Sequence, residues 1–139
     1  MDLHKRAVLL VEDDFNIRRM YVLGLATAGY EVTAVGDADA ALDAVATWQP
    51  DVAILDWDLP RMRGDELFDR LRRNAKTKQL PVMFLSNYRR SETRIAGAVM
   101  GGNTVPWLLK AETTPAQLAE RVGRLLGSGD RHPTSPTAA

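Results

Sequence analysis

The sequence predicts an α/β fold: a five-stranded parallel sheet, doubly wound with five helices. Two patterns carry this expectation. Short apolar runs such as AVLLV (7–11) and VAIL (52–55) lack alternation, as strands covered on both faces do. Between such runs apolar residues recur at helical spacing, and strands that alternate with helices build parallel sheets.

AVLLV is the first strand. Ile17, Met20, Tyr21, Leu25 and Ala28 mark the apolar side of the first helix, and Gly29 stops it. YEVTAV (30–35) alternates as a half-covered strand. Asp37 is an N-cap for a second helix with Ala38, Ala41, Leu42 and Val45 on one face. Pro50 precedes the third strand, VAIL, and Leu67, Phe68 and Leu71 signal the third helix, with Met62 and Phe68 read as core. PVMFLS (81–86) is the fourth strand. Ile95, Ala98 and Val99 suggest a fourth helix ended by Gly101 and Gly102. VPWLL (105–109) is the fifth strand, at an edge or starting late because Pro106 cannot donate to a ladder. Thr114, Pro115 and Gln117 form a capping box for the last helix, whose stripe is Leu118, Val122, Leu125 and Leu126 and whose stop is Gly127.

A chain of 139 residues fits one domain, here 1–127, followed by a small, polar, proline-containing tail, 128–139, expected to be disordered. Eighteen basic residues balance eighteen acidic ones, so no net charge draws the chain to nucleic acid or to a membrane surface. With no cysteine there is no disulfide, thiolate metal site or cysteine nucleophile. No segment approaches the ~20 apolar residues of a membrane span, and a cytoplasmic location is the default expectation.

Parallel sheets of this kind place their ligand site beyond the carboxyl ends of the strands. The first strand runs into Glu12, Asp13 and Asp14, the third into Asp56, the fourth into Ser86 and the fifth into Lys110. Groups scattered in sequence should therefore converge. Carboxylates roughly 5 Å apart repel by about 3 kcal/mol at an effective dielectric of about 20. Such a cluster invites a proton or a small divalent cation, and hard oxygen ligands with open positions suit Mg²⁺. With that repulsion neutralised, Asp56 could attack phosphorus, Lys110 could supply a point charge and Ser86 a hydrogen bond to a phosphoryl oxygen.

These residues, within LLVEDDFNIRR (9–19), PDVAILDWDLPRMRG (50–64), PVMFLS (81–86) and the lysine after the fifth strand, resemble the receiver domain of two-component response regulators. The resemblance covers nearly everything from Ala7 to Leu126 and implies a flavodoxin-like strand order of 2-1-3-4-5. It implies that Asp56 is the phosphoacceptor, and that Asp13 binds Mg²⁺ directly and Glu12 through water. Asp56 and the Asp58 main-chain carbonyl would complete the protein's ligands. Ser86 would be the switch hydroxyl, Lys110 the phosphate-binding lysine and Trp107 the aromatic switch. Asp58 and Tyr88 fall where receivers tune self-dephosphorylation, and this pair implies a slow one. Three features depart from the family pattern: Ala111 where receivers commonly have a cis proline, Asn87 where the residue is usually small, and a longer segment around Gly101 to Pro106. A cis bond before a residue other than proline costs about 2.5–4 kcal/mol, so the Lys110–Ala111 peptide is expected to be trans.

Taken singly, Asp13 or Asp14 reads as a helix N-cap, Ser86 and Lys110 as solvated strand-end residues, and Trp107 as packing. The arginines at 70, 72, 73, 89, 90 and 94 read as solvated helix faces. The function implied is a phosphorylation-dependent switch, not an enzyme. A sensor histidine kinase or phosphotransfer protein would be the donor. A downstream protein would be contacted through the fourth helix, fifth strand and fifth helix, and the fourth-helix face is compatible with a homodimer. One alternative is a pseudo-receiver, a protein-binding module independent of phosphorylation. Another is a haloacid-dehalogenase-like phosphatase, because ILDWDL matches a strand followed by Asp-x-Asp.

Overall fold

The structure, a computed structural model, describes residues 5–89 and 105–130, the last three by backbone alone. The helix expected around Ile95 to Val99 lies outside the described residues. The elements in chain order are β1 (Ala7–Val11), α1 (Phe15–Thr27), β2 (Glu31–Val35), α2 (Ala38–Thr47), β3 (Val52–Asp56) and α3 (Gly64–Arg73). They continue with β4 (Val82–Ser86), β5 (Trp107–Leu109), a 3₁₀ turn at Lys110–Glu112 and the C-terminal helix α4 (Pro115–Asp130). The strands pair in parallel in the order β2-β1-β3-β4-β5, as expected.

Successive residues of the central strands point to opposite faces, and both faces are covered. Leu9, Val11, Ala53, Leu55, Val82 and Phe84 pack with Ala41, Val45, Leu67, Phe68 and Leu71 from α2 and α3. Val8, Leu10, Val52, Ile54, Met83 and Leu85 pack with Tyr21, Leu25, Leu118, Val122 and Leu126 from α1 and α4. These runs therefore lack alternation because neither face meets water. A Cβ on Gly24 would collide with the ring of Pro115, so the small residue lets α1 close against α4. Among the described residues no helix is long and apolar enough to cross a membrane.

Helix ends follow their signals at most places. Asp14 accepts the Ile17 N–H and Asp37 the Ala40 N–H, while Thr114 and Gln117 exchange reciprocal bonds of 3.1 and 2.8 Å. Gly29 takes a φ of 100°, a left-handed conformation that glycine adopts without strain. Three details differ from expectation. Met20 is exposed rather than part of the apolar stripe. Hydrogen-bonded helix continues past Gly127 to Asp130, since one glycine costs a helix only about 1 kcal/mol. Finally, Ala28 is exposed and forms the C-cap of α1 rather than part of its apolar side. As expected, β5 is an edge strand that begins at Trp107, after a proline that accepts from Phe84 N–H but cannot donate.

Candidate functional site

The site is built at the carboxyl edge where β1, β3, β4 and β5 end. Glu12, directly after β1, is fully buried, whereas Asp13 beside it is exposed. Asp14 takes the N-cap of α1, which leaves Asp13 free of that duty. Asp56 closes β3 and is 2% exposed. Glu12, Asp13 and Asp56 each offer a carboxylate oxygen, and these oxygens lie within 4.8 Å of one another. The convergence expected of separate strand ends is thus met.

Lys110 reaches into the same space. Its Nζ lies 2.8 Å from Glu12 Oε1 and 3.1 Å from Asp56 Oδ2, and its side chain is 9% exposed. The remaining carboxylate oxygens accept main-chain donors: Asp58 N–H to Asp56 Oδ1 at 3.0 Å, and Asp14 N–H to Glu12 Oε2 at 3.1 Å. Glu12 Oε1 accepts no aligned hydrogen bond, so its contact with Lys110 is an ion pair only. One cation therefore serves two buried carboxylates.

Burial pushes the Asp56 carboxyl up to about 8; the charge of Glu12 adds to the rise, and Lys110 opposes both without cancelling them. Burial alone would lower Lys110, but its pairing with Glu12 and Asp56 raises it above its ordinary value. The cluster is thus short of positive charge. A buried carboxylate oxygen without a hydrogen bond, two further carboxylates within reach and an exposed side at Asp13 form a hard-oxygen donor set that fits Mg²⁺.

The supporting contacts explain how the acidic residues keep their places. Arg18, one turn into α1, donates from Nη1 to the Glu12 carbonyl at 2.8 Å and lies 3.5 Å from that of Asp13. Gly36 faces that guanidinium. Gly64 donates to the Trp57 carbonyl at 2.9 Å, and a Cβ there would stand 2.5 Å from the Asp56 carbonyl oxygen and 2.9 Å from Trp57 Cα. Sequence reasoning missed both roles. Arg18 braces carbonyls rather than side chains, which leaves no motif; the glycine closing PRMRG was a visible signal that gave no reason for itself.

Ser86 is buried at the end of β4, and its Oγ accepts the Tyr88 N–H at 2.9 Å, with the hydroxyl proton still available to donate. Trp107 donates its indole N–H to the Tyr88 carbonyl at 2.8 Å. It is inward-facing, with ring centroids 5.0 Å from Trp57 and 5.4 Å from Phe84. Asn87, Tyr88 and Asp58 are exposed around the site. The described residues contain no cis peptide, so Lys110–Ala111 is trans. The arginines have structural uses: Arg70 and Arg73 pair with Glu66 and Asp69, Arg89 with Glu112, and Arg72 lies over Phe68; Arg90 and Arg94 lie outside the described residues.

The family model described as "Response regulator receiver domain" matches residues 8–122. The chain is 30% identical over 128 residues to the phosphate regulon transcriptional regulatory protein PhoB of Pseudomonas aeruginosa, covering 90% of this chain and 55% of that protein. Over 96 residues it is 35% identical to the probable transcriptional regulatory protein TcrX of Mycobacterium tuberculosis, covering 69% and 40%. The chain therefore spans about half the length of the curated relatives it matches. Among solved structures, the chemotaxis response regulator CheY4 of Vibrio cholerae superposes with a TM-score of 0.78 at 29% identity, covering 88% of this chain and 99% of that one. A putative response regulator from Chloroflexus aurantiacus superposes with a TM-score of 0.77 at 30% identity, covering 89% and 99%.

Proposed function

From the premise that the chain belongs to the response regulator receiver family, we propose that it is a switch in which Asp56 accepts a phosphoryl group from a histidine kinase or phosphotransfer protein. The observation that carries this reading is the pairing of Lys110 with both Glu12 and Asp56 inside the acidic cluster. An ordinary surface lysine has no reason to be held there.

Glu12, Asp13, Asp56 and the Asp58 main-chain carbonyl would hold Mg²⁺, which supplies the positive charge that lets a phosphate dianion approach a carboxylate. In the transfer, an Asp56 oxygen forms the bond to phosphorus as the donor's N–P bond breaks and the electron pair returns to its imidazole. The Asp58 N–H orients the carboxylate by bonding to Oδ1. Lys110, already within reach, pairs with the new phosphoryl oxygens, and the Ser86 hydroxyl turns its proton toward them. Phosphorylation adds a charge of about −1.5 to −2. Recruiting Lys110 to that charge competes with its present partner Glu12. Recruiting the Ser86 hydroxyl, which also accepts the Tyr88 N–H, links the charge to the segment that holds Trp107. Together they bias the face that includes Trp107, β5 and α4. A separate downstream protein contacted there would read the change. Exposed Asp58 and Tyr88 support slow self-dephosphorylation, because the Asp58 carboxylate would not help stabilise an anion there and Tyr88 could shield it; a phosphorylated half-life of seconds would overturn this part.

Trp57, adjacent to Asp56 and in contact with Trp107, is the natural reporter. Its fluorescence should change on adding Mg²⁺ and again on adding beryllofluoride, and Asp56→Asn should abolish the second change. A response to Mg²⁺ followed by none to beryllofluoride would favour the phosphate-independent binding module instead.

A further inference from the structure

The turn that carries Lys110 has an anchor in a distant helix. After β5 the chain forms the 3₁₀ turn Lys110–Glu112, with every peptide trans. Thr113 closes this turn twice: its N–H lies 3.4 Å from the Lys110 carbonyl, and its hydroxyl donates to the Leu109 carbonyl at 2.7 Å. The Thr113 carbonyl in turn accepts the Tyr21 hydroxyl at 2.7 Å across 92 residues of sequence. Both residues are buried, Tyr21 at 1% exposure. Tyr21 belongs to α1, the helix whose N-terminus follows Glu12 and Asp13 and whose Arg18 braces their carbonyls. One helix therefore holds both the acidic loop and the lysine turn.

Packing alone asks only for a ring at this position, and phenylalanine would fill the same space. A buried phenol must find an acceptor, and this one spends its proton on the carbonyl that ends the lysine turn. Burial raises the Tyr21 pKa, which keeps the hydroxyl a neutral donor. We propose that Tyr21 is a positioning residue for Lys110: through Thr113, its hydroxyl fixes the turn that holds the ammonium between Glu12 and Asp56.

The inference rests on the proposed role of Lys110, and two measurements on the full chain separate the two. The first needs neither metal nor phosphoryl donor. With limiting acetylating reagent, Lys110 of Tyr21→Phe should be modified about fivefold faster or more, relative to exposed Lys78 as the internal reference, because a loosened turn frees the amine. An unchanged ratio overturns the proposal. If Tyr21→Phe fails to fold, Thr113→Val, which removes the hydroxyl closing the same turn, must raise the ratio instead. The second titrates beryllofluoride at saturating Mg²⁺. Tyr21→Phe should weaken beryllofluoride about tenfold without weakening Mg²⁺, and should have no further effect in a Lys110→Ala background. A merely structural tyrosine would weaken both ligands, or would act equally with and without Lys110, and either result overturns the proposal. Failure of the unsubstituted protein to bind beryllofluoride would sink the phosphoryl reading, while the acetylation ratio would still decide the role of Tyr21.

Discussion

Replacing Asp56 by asparagine should stabilise the protein in the absence of divalent cations. The carboxylate oxygens of Glu12 and Asp13 lie within 4.8 Å of Asp56, so each full charge repels it by at least about 3.5 kcal/mol at an effective dielectric of about 20. Lys110, at 3.1 Å, returns about 5 kcal/mol on the same scale, but that one cation is shared with Glu12. Burial is the largest cause, the Glu12 charge adds to it and Lys110 opposes both, leaving a carboxyl raised from 3.8 to about 8. Native Asp56 thus binds its proton more tightly than the unfolded chain does, and the wild type loses stability as pH rises from about 4 to about 8. At pH 7 the upper bound is about 4 kcal/mol, from roughly 3 pH units at 1.36 kcal/mol each. Asparagine keeps an acceptor for Lys110 but gives up the charge attraction, so about 2 kcal/mol is the expected gain. Urea unfolding followed by tryptophan fluorescence, with chelator, from pH 4 to 9, measures it. The difference between Asp56→Asn and wild type should be near zero at pH 4, grow steadily and level off above pH 8. The raised Lys110 adds stability that is lost only above its ordinary 10.5, outside this window. A less stable Asp56→Asn protein at pH 7, or a difference independent of pH, would refute the reasoning.

Mg²⁺ at a hundred times its Kd should stabilise the wild type by about 2.7 kcal/mol, seen as a higher melting temperature that Asp56→Asn largely loses; no shift at millimolar Mg²⁺ contradicts the donor set. Lys110→Ala should destabilise the cation-free protein by about 3 kcal/mol, because it leaves Glu12 charged and buried, and Mg²⁺ should restore much of that; denaturation with and without Mg²⁺ checks both halves. Gly64→Ala should cost at least about 2 kcal/mol in the same assay, since the new Cβ meets main-chain atoms of Asp56 and Trp57 that cannot rotate away.

Much of the site was legible because strand ends are legible. Once β1, β3, β4 and β5 are read as parallel, the fold itself gathers Glu12, Asp13, Asp56, Ser86 and Lys110, whatever the sequence distance. The sharing of Lys110 between two carboxylates was not legible, because it depends on the path of a turn whose usual proline is absent. Nor was the choice between Asp13 and Asp14 as cap, which the hydrogen bond from Ile17 N–H decides. Met20 misled because helical spacing gives a face but not its width: Tyr21 and Leu25 fill the space over the sheet, and Met20 falls outside it. Carbonyl contacts, such as those of Arg18 and Tyr21, leave no periodicity to read.

The most direct test of the central claim is mass spectrometry of the intact chain after incubation with a small phosphodonor and Mg²⁺. One phosphoryl adduct on the wild type, labile as an acyl phosphate and absent from Asp56→Asn, is the result expected. An unmodified wild type, or an adduct that persists after Asp56 is replaced, would contradict it.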